Sequence, residues 1–151
     1  ANITKDVYFE TLQTFSNSHR RLNEDGKTVC WIDENLNPFT GDWISRTMLL
    51  AIDYKYKERG KDYNHSSFCD LVISGLVGVQ PQADGSIVIE PLIPEGEWDW
   101  FSLSRIPCAG KEISVIYDRT GEHYGCKPGL TVYVDGKKAA HSDTYATRIM
   151  L

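Results

Sequence analysis

The chain has 151 residues, with 16 Lys and Arg against 21 Asp and Glu, and a formal net charge of −5. That charge, with its cations scattered, excludes a nucleic-acid partner, whose phosphates call for a basic face. No apolar run is long enough to span a bilayer, no signal-peptide pattern is present, and the length allows one core-bearing domain or a small domain with a helical preface.

From Asp6 to His19 the pattern predicts a helix. Val7, Tyr8, Thr11, Leu12 and Phe15 recur at helical spacing and form one apolar stripe. Thr4 is a candidate N-cap, and Asp6 lies where the helix dipole favours an acid. His19, Arg20 and Arg21 fall in the predicted last turn, where positive charge is favoured, and His19 reads as a capping residue. Asn23-Glu24-Asp25-Gly26 stops the helix. A helix of this length needs a packing partner.

The run Trp31 to Arg46, WIDENLNPFTGDWISR, concentrates acids, carboxamides, aromatics and an arginine. Asn37-Pro38 and Thr40-Gly41 break regular structure, so the run is a shaped loop. Carboxylates beside tryptophans suit a sugar site, where acids move protons and flat rings stack on sugar faces; the alternative is a structured loop with buried aromatics and solvated acids. Thr47 to Ile52 is short and apolar, and its periodicity does not separate helix from strand. Asp53 to Asn64 is polar and tyrosine-rich, a solvated loop over Lys55 to Lys61. A second helix is expected from Ser67 to Leu76, with Ser67-x-x-Asp70 as a capping box and Phe68, Leu71, Val72, Gly75 and Leu76 as its buried stripe. Gly78 is its stop.

After Val79 the periodicity changes. Strands are expected at Ser86–Glu90, Trp98–Leu103, Glu112–Asp118, Leu130–Val134 and Lys137–His141, with Ile106-Pro107 an interruption. Asp118-Arg119-Thr120-Gly121 is a turn, and Asp135-Gly136 signals a type I′ hairpin. The fold class is therefore α+β: N-terminal helices over 1–78, then an antiparallel β-sandwich over 79–151. Trp98 and Trp100 share a strand face; packing in the core or against the helices is expected, with an exposed sugar platform the alternative. His123 and His141 read as surface residues.

Cys30, Cys69, Cys108 and Cys126 form no C-x-x-C pair, so they read as free buried thiols rather than zinc ligands. Three disulfide pairings remain open. No acidic cluster forms a calcium loop, and no phosphate-binding, dinucleotide or nucleophilic-serine pattern occurs. No metal or cofactor is expected. The first residue is Ala1, from which a longer, processed parent is expected; a periplasmic or secreted parent fits.

The segment Glu34 to Gly41, Glu-x-x-Asn-Pro-x-Thr-Gly, resembles the base-bearing segment of inverting glycosidases of the six-hairpin α/α toroid class. That class includes mannosylglycerate hydrolase-like enzymes, trehalases and processing α-glucosidases. Leu36 stands where an aromatic is usual, and the downstream helix opens Ser66-Ser67-Phe68 rather than Phe-Ser-Trp. DYNHSSFCDLVISGLVG, Asp62 to Gly78, and the tail beyond it look like the end of large proteins of this group. The resemblance implies that Glu34 is the general base. It implies that the general acid lies outside this chain and that the fragment alone is inactive. Substrate contacts are expected from Trp43, which reads equally as a core residue, and Arg46 on the loop, and from Tyr63, Asn64 and His65 before the second helix. The implied partners are a carbohydrate substrate and the remainder of the parent catalytic domain. Helix faces built for that absent domain are expected to be left apolar and to drive self-association. The rival reading is a non-catalytic carbohydrate-binding or interaction module.

Overall fold

The computed structural model describes residues 3–22, 25–37, 39–43, 63 and 67–151. The apolar stretch at Thr47, the loop at Lys55, and Arg46, Asn64 and His65 lie outside the described residues. By compactness the chain divides into two units, one of Ala1–Phe9 with Ser67–Leu151 and the other of Glu10–Ser66.

Helix α1 runs Lys5–Ser18, within one residue of the expected span. Thr4 caps it, its Oγ1 accepting the Val7 N–H at 3.3 Å. The stripe is shifted from the expected one: Phe9 and Leu12 are buried, whereas Val7 and Thr11 are exposed. The helix also ends sooner than the basic run suggested. Arg20 and Arg21 belong instead to strand β1, Arg20–Leu22, which pairs antiparallel with β2, Thr28–Cys30. Of the polar stop sequence, the described residues Asp25 and Gly26 lie in a turn before β2, with Gly26 at φ 73 in the left-handed region.

In the other unit, α2 spans Ser67–Leu71 and continues as a π-helical turn, Val72–Leu76. Gly75 and Leu76 are buried as expected, but Leu71 is exposed. Tyr8 explains the turn's crowding. Its hydroxyl donates to the Leu71 carbonyl at 2.7 Å, and a Cβ on Gly75 would collide with its ring. Gly78 ends the helix in the left-handed region, φ 74, as the sequence implied.

Two antiparallel sheets follow. One orders β3 (Val79–Pro81), β4 (Ser86–Ile89) and β9 (Thr147–Met150). The other is a meander of β5 (Trp100–Cys108), β6 (Lys111–Asp118), β7 (Gly129–Val134) and β8 (Lys137–Ser142). Alternation fills the space between them: Ile87 and Ile89 from one sheet, Ile113, Val115, Leu130 and Val132 from the other, all fully buried. The β-rich α+β class is therefore correct. Strands β3 and β9 were not foreseen; each is short, and one ends in a proline. Arg148 ties β9 to the β3–β4 turn, bonding Ser86 Oγ at 2.8 Å and Asp84 Oδ2 at 2.6 Å.

Ile106-Pro107 does not interrupt β5. The strand passes through a bulge between Leu103 and Ile106, with Arg105 at φ 61 and its N–H bonded to Ser114 Oγ. Because β5 is an edge strand, Pro107 costs no ladder bond. The Asp135-Gly136 hairpin has positive φ at both residues, 49 and 74, as a type I′ turn requires. All four cysteines are free, but none is buried; Cys30 and Cys69 are exposed. Their flanking strands and helix present these positions outward.

Asp118 anchors the loop that follows β6. It is buried, and it accepts the N–H of Thr120 and Gly121 on Oδ1 and of Tyr124 on Oδ2. Burial pushes its carboxyl pKa up, but the N–H groups of Tyr124, Gly121, Thr120 and His123 outweigh this and hold it below the usual carboxylate value. A depressed folded pKa means stability that is complete above the unfolded value, about 3.9, and is lost as pH falls through the folded value. Asp118→Asn is therefore expected to lower Tm at neutral pH and to bring the two proteins together in acid. Thermal melts between neutral pH and pH 3 check this; parallel curves at all pH values would remove Asp118 from the linkage.

Candidate functional site

The loop from Trp31 to Trp43 is built by three buried side chains. Trp31 and Trp43 are buried, and Asp33 between them is 0% exposed. The Trp43 indole N–H donates to the Ser18 carbonyl at 2.7 Å, at the end of α1. Its ring meets Phe15 and His19 edge-on. His19 does act as a cap: its Nδ1 lies 2.7 Å from the Phe15 carbonyl oxygen. Trp31 receives the Arg21 guanidinium 3.7 Å above its ring, a cation–π contact from β1.

Turn chemistry closes the loop. Asn37 Oδ1 accepts the Phe39 N–H at 2.9 Å, and the Asn37 carbonyl accepts the Gly41 N–H at 2.9 Å. Gly41 takes φ 68, a conformation that favours glycine. Asn37 N–H returns to the Asp42 carbonyl at 2.8 Å, and Leu36 bridges Trp43 in antiparallel fashion. Of the breakers singled out in the sequence, Asn37, Thr40 and Gly41 thus occupy defined places, and Pro38 lies outside the described residues. Between α1 and this loop lies an open groove of about 530 Å³, lined by residues that include Glu10, Thr14, Asn37 and Thr40.

Glu34 is exposed, and its N–H donates to Asp33 Oδ1 at 2.7 Å. Asp33 before it is wholly buried, whereas Glu34 and Asn35 are exposed. Asp33 is the residue that sequence reasoning passed over. Its adjacency to Glu34 was visible, but its complete burial, between two buried tryptophans in the same loop, was not. Trp43 is fully covered, so no face of its ring is open. Tyr63 is exposed, and Arg46, Asn64 and His65 lie outside the described residues.

Trp98 precedes β5, so it shares no strand with Trp100; it packs against α1 through Phe9, as expected, while neither tryptophan is in the core. They are 38% and 49% exposed. Trp98 meets Phe9 and Phe101 edge-on, and Trp100 stacks on His123 with ring centres 3.7 Å apart and 5° between planes. Burial of the large ring is thus supplied by another ring rather than by the sheets. His141 is less exposed than expected, held between Thr131 Oγ1 at 2.9 Å and Asp143 at 3.0 Å.

Among the described residues no group of three or more His, Cys, Asp and Glu is arranged to hold a metal, and no helix is long and apolar enough to cross a membrane.

Residues 82–141 match the C-terminal domain of glycosyl hydrolase family 65. A solved structure entitled "Sialidase" superposes with a TM-score of 0.75 at 36% sequence identity, over 97% of this chain. This chain spans 12% of that protein's length. The chain is therefore similar to the C-terminal part of a family 65-like glycoside hydrolase, with its attached β-sandwich.

Proposed function

From a chain whose second half matches the glycosyl hydrolase family 65 C-terminal domain, we propose a parent that is an inverting glycoside hydrolase. In this reading the chain supplies the general-base loop and the accessory sandwich, and its helices are the end of an α/α toroid. Glu34 takes a proton from the attacking water. The general acid, outside this chain, protonates the leaving oxygen. In inverting enzymes the two carboxyl groups stand about 6.5–9.5 Å apart, with room for the water. The observation that carries the reading is the exposed Glu34 on a loop whose flanking Asp33 and Trp43 are wholly buried. A base must be both accessible and held still. Trp43 serves from beneath, as a positioning residue. Arg46, Tyr63, Asn64 and His65 remain the proposed substrate contacts. With no acid present, the chain alone is inactive. Turnover of Glu34→Gln in the full-length enzyme is the test.

The partner of the helices is the remainder of the parent catalytic domain. Ile3 and Leu71 are 72% and 44% exposed, apolar side chains with surface left for a partner. In isolation this chain is expected to self-associate as its concentration rises, and Leu71→Lys is expected to restore the monomer. Sedimentation equilibrium decides; a strict monomer at every concentration would refute the expectation.

The second reading, a carbohydrate-binding module, is favoured by the exposure of Trp98 and Trp100. It predicts sugar binding by this chain that survives loss of Glu34.

A further inference from the structure

One end of the sandwich opens into a cleft of about 520 Å³ lined by Glu95, Tyr117, Arg119, Lys127, Gly129 and Asp143, among others. Its lining comes from four stretches of the chain: 95–96, 117–119, 127–129 and Asp143. Sandwich ends gather loops in this way, and such loop clusters commonly bind ligands.

The floor holds one aromatic lining residue, Tyr117, backed by rings outside the lining. Tyr117 stacks on Phe101 with centres 5.4 Å apart and meets Tyr145 edge-on at 4.6 Å. Tyr117 continues the face of β6 that buries Ile113 and Val115, so this floor is the end of the hydrophobic core. The Tyr145 hydroxyl beside it is buried and has no hydrogen-bond partner among the described residues. At Gly129, φ 113, a side chain would run into the Ser142 carbonyl, so the wall there is bare backbone.

The rim is made of ion pairs. Arg119 Nε lies 2.7 Å from Asp99 Oδ1, and Lys127 Nζ lies 2.8 Å from Asp143 Oδ1. Asp143 also takes His141 Nε2 at 3.0 Å. The Lys127 ammonium, and then His141, hold the Asp143 carboxyl below its usual pKa, so it stays an acceptor at neutral pH. Each cation therefore already has a carboxylate. Glu95 and Asp143 offset Arg119 and Lys127 within the lining, and Asp99 adds a further negative charge.

These features select a ligand class. The Tyr117 ring in the floor offers a flat apolar face, and each ion pair sets donors beside acceptors at hydrogen-bonding separation, as vicinal hydroxyls require. An anionic sugar would find no surplus cation and would meet Glu95 and Asp143. We propose that this cleft is a binding site for a neutral pyranose saccharide, sharing no residue with the Glu34 loop. The sugar class rests on the glycoside-hydrolase reading; the place and the preference for a neutral ligand rest on the cleft.

The test is a titration of the isotopically labelled chain, followed by amide NMR, with D-glucose, D-mannose, maltose and N-acetylneuraminic acid as probes. The neutral sugars are expected to shift the amides of Gly96, Tyr117 and Gly129 with weak, millimolar-range affinity, and N-acetylneuraminic acid is not. Lys127→Ala, at a largely exposed position that should not affect folding, is expected to weaken binding roughly fivefold. Glu34→Gln should leave binding unchanged, so a failure of the cleft and a failure of Glu34 as base are read separately. The proposal is overturned by no shifts at tens of millimolar sugar, or by shifts confined to Trp98, Trp100 and His123. Equal binding of N-acetylneuraminic acid, or indifference to Lys127→Ala, would overturn it too.

Discussion

Glu34→Gln in the full-length enzyme is expected to lower turnover about 10²–10⁴-fold, the usual loss when a positioned general base is removed. Three features set this expectation. The carboxylate is exposed, whereas Asp33 before it is buried and fixes the Glu34 N–H at 2.7 Å. The surrounding loop is closed by its own hydrogen bonds, from Asn37 to Gly41 and back to Asp42. The segment also resembles the base-bearing segment of inverting glycosidases. Glutamine keeps the shape and one acceptor oxygen, so substrate affinity should change little and the loss should fall on kcat. Folding should be unaffected, because an exposed carboxamide replaces an exposed carboxylate. Steady-state kinetics with circular dichroism of the same sample separates the two. Turnover near that of the unsubstituted enzyme would leave Glu34 with a structural role only.

The sequence revealed features that are local. The α1 span, the Gly78 stop and the Asp135-Gly136 hairpin each follow from a few adjacent residues whose backbone preferences agree. The central strands follow from alternation at Ile87 and Ile89, and at Ile113 and Val115. What stayed hidden depends on distant partners. Strands β3 and β9 are too short to show a period and exist because β4 lies between them. Pro107 looked like a breaker because nothing local says that β5 is an edge strand. Trp100 was expected in the core or against the helices, and its stacking face comes instead from His123, beyond the following strand. At the candidate site, the acids and breakers of the loop were visible as composition. The division between buried Asp33 and exposed Glu34 was not, because burial of one of two adjacent acids is decided by tertiary packing.

Trp43→Ala is expected to be the most damaging single change among the described residues of the 10–66 unit. Trp43 is 0% exposed, and truncating a buried aromatic typically costs about 3–5 kcal/mol. That is a large share of the roughly 5–15 kcal/mol by which a domain is stable. Two losses add to the cavity. The Ser18 carbonyl loses its indole donor, and the Leu36–Trp43 bridge loses the side chain that holds it down. Trp43→Phe keeps most of the volume and removes the N–H, so its cost should be near the about 1–3 kcal/mol of one unsatisfied buried acceptor. Hydrogen exchange resolves the effect by region. In Trp43→Ala the amides of Trp31, Asn37 and Gly41 should lose protection, while those of Ile113 and Val132 in the sandwich keep theirs. The kinetic consequence distinguishes support from stacking. A ring buried beneath the loop touches no sugar, so in the full-length enzyme Trp43→Phe should lower kcat through the freedom given to Glu34 and leave KM nearly unchanged. A rise in KM at constant kcat would instead mean that Trp43 binds the substrate. Undiminished protection of the loop in Trp43→Ala would mean that another side chain anchors it.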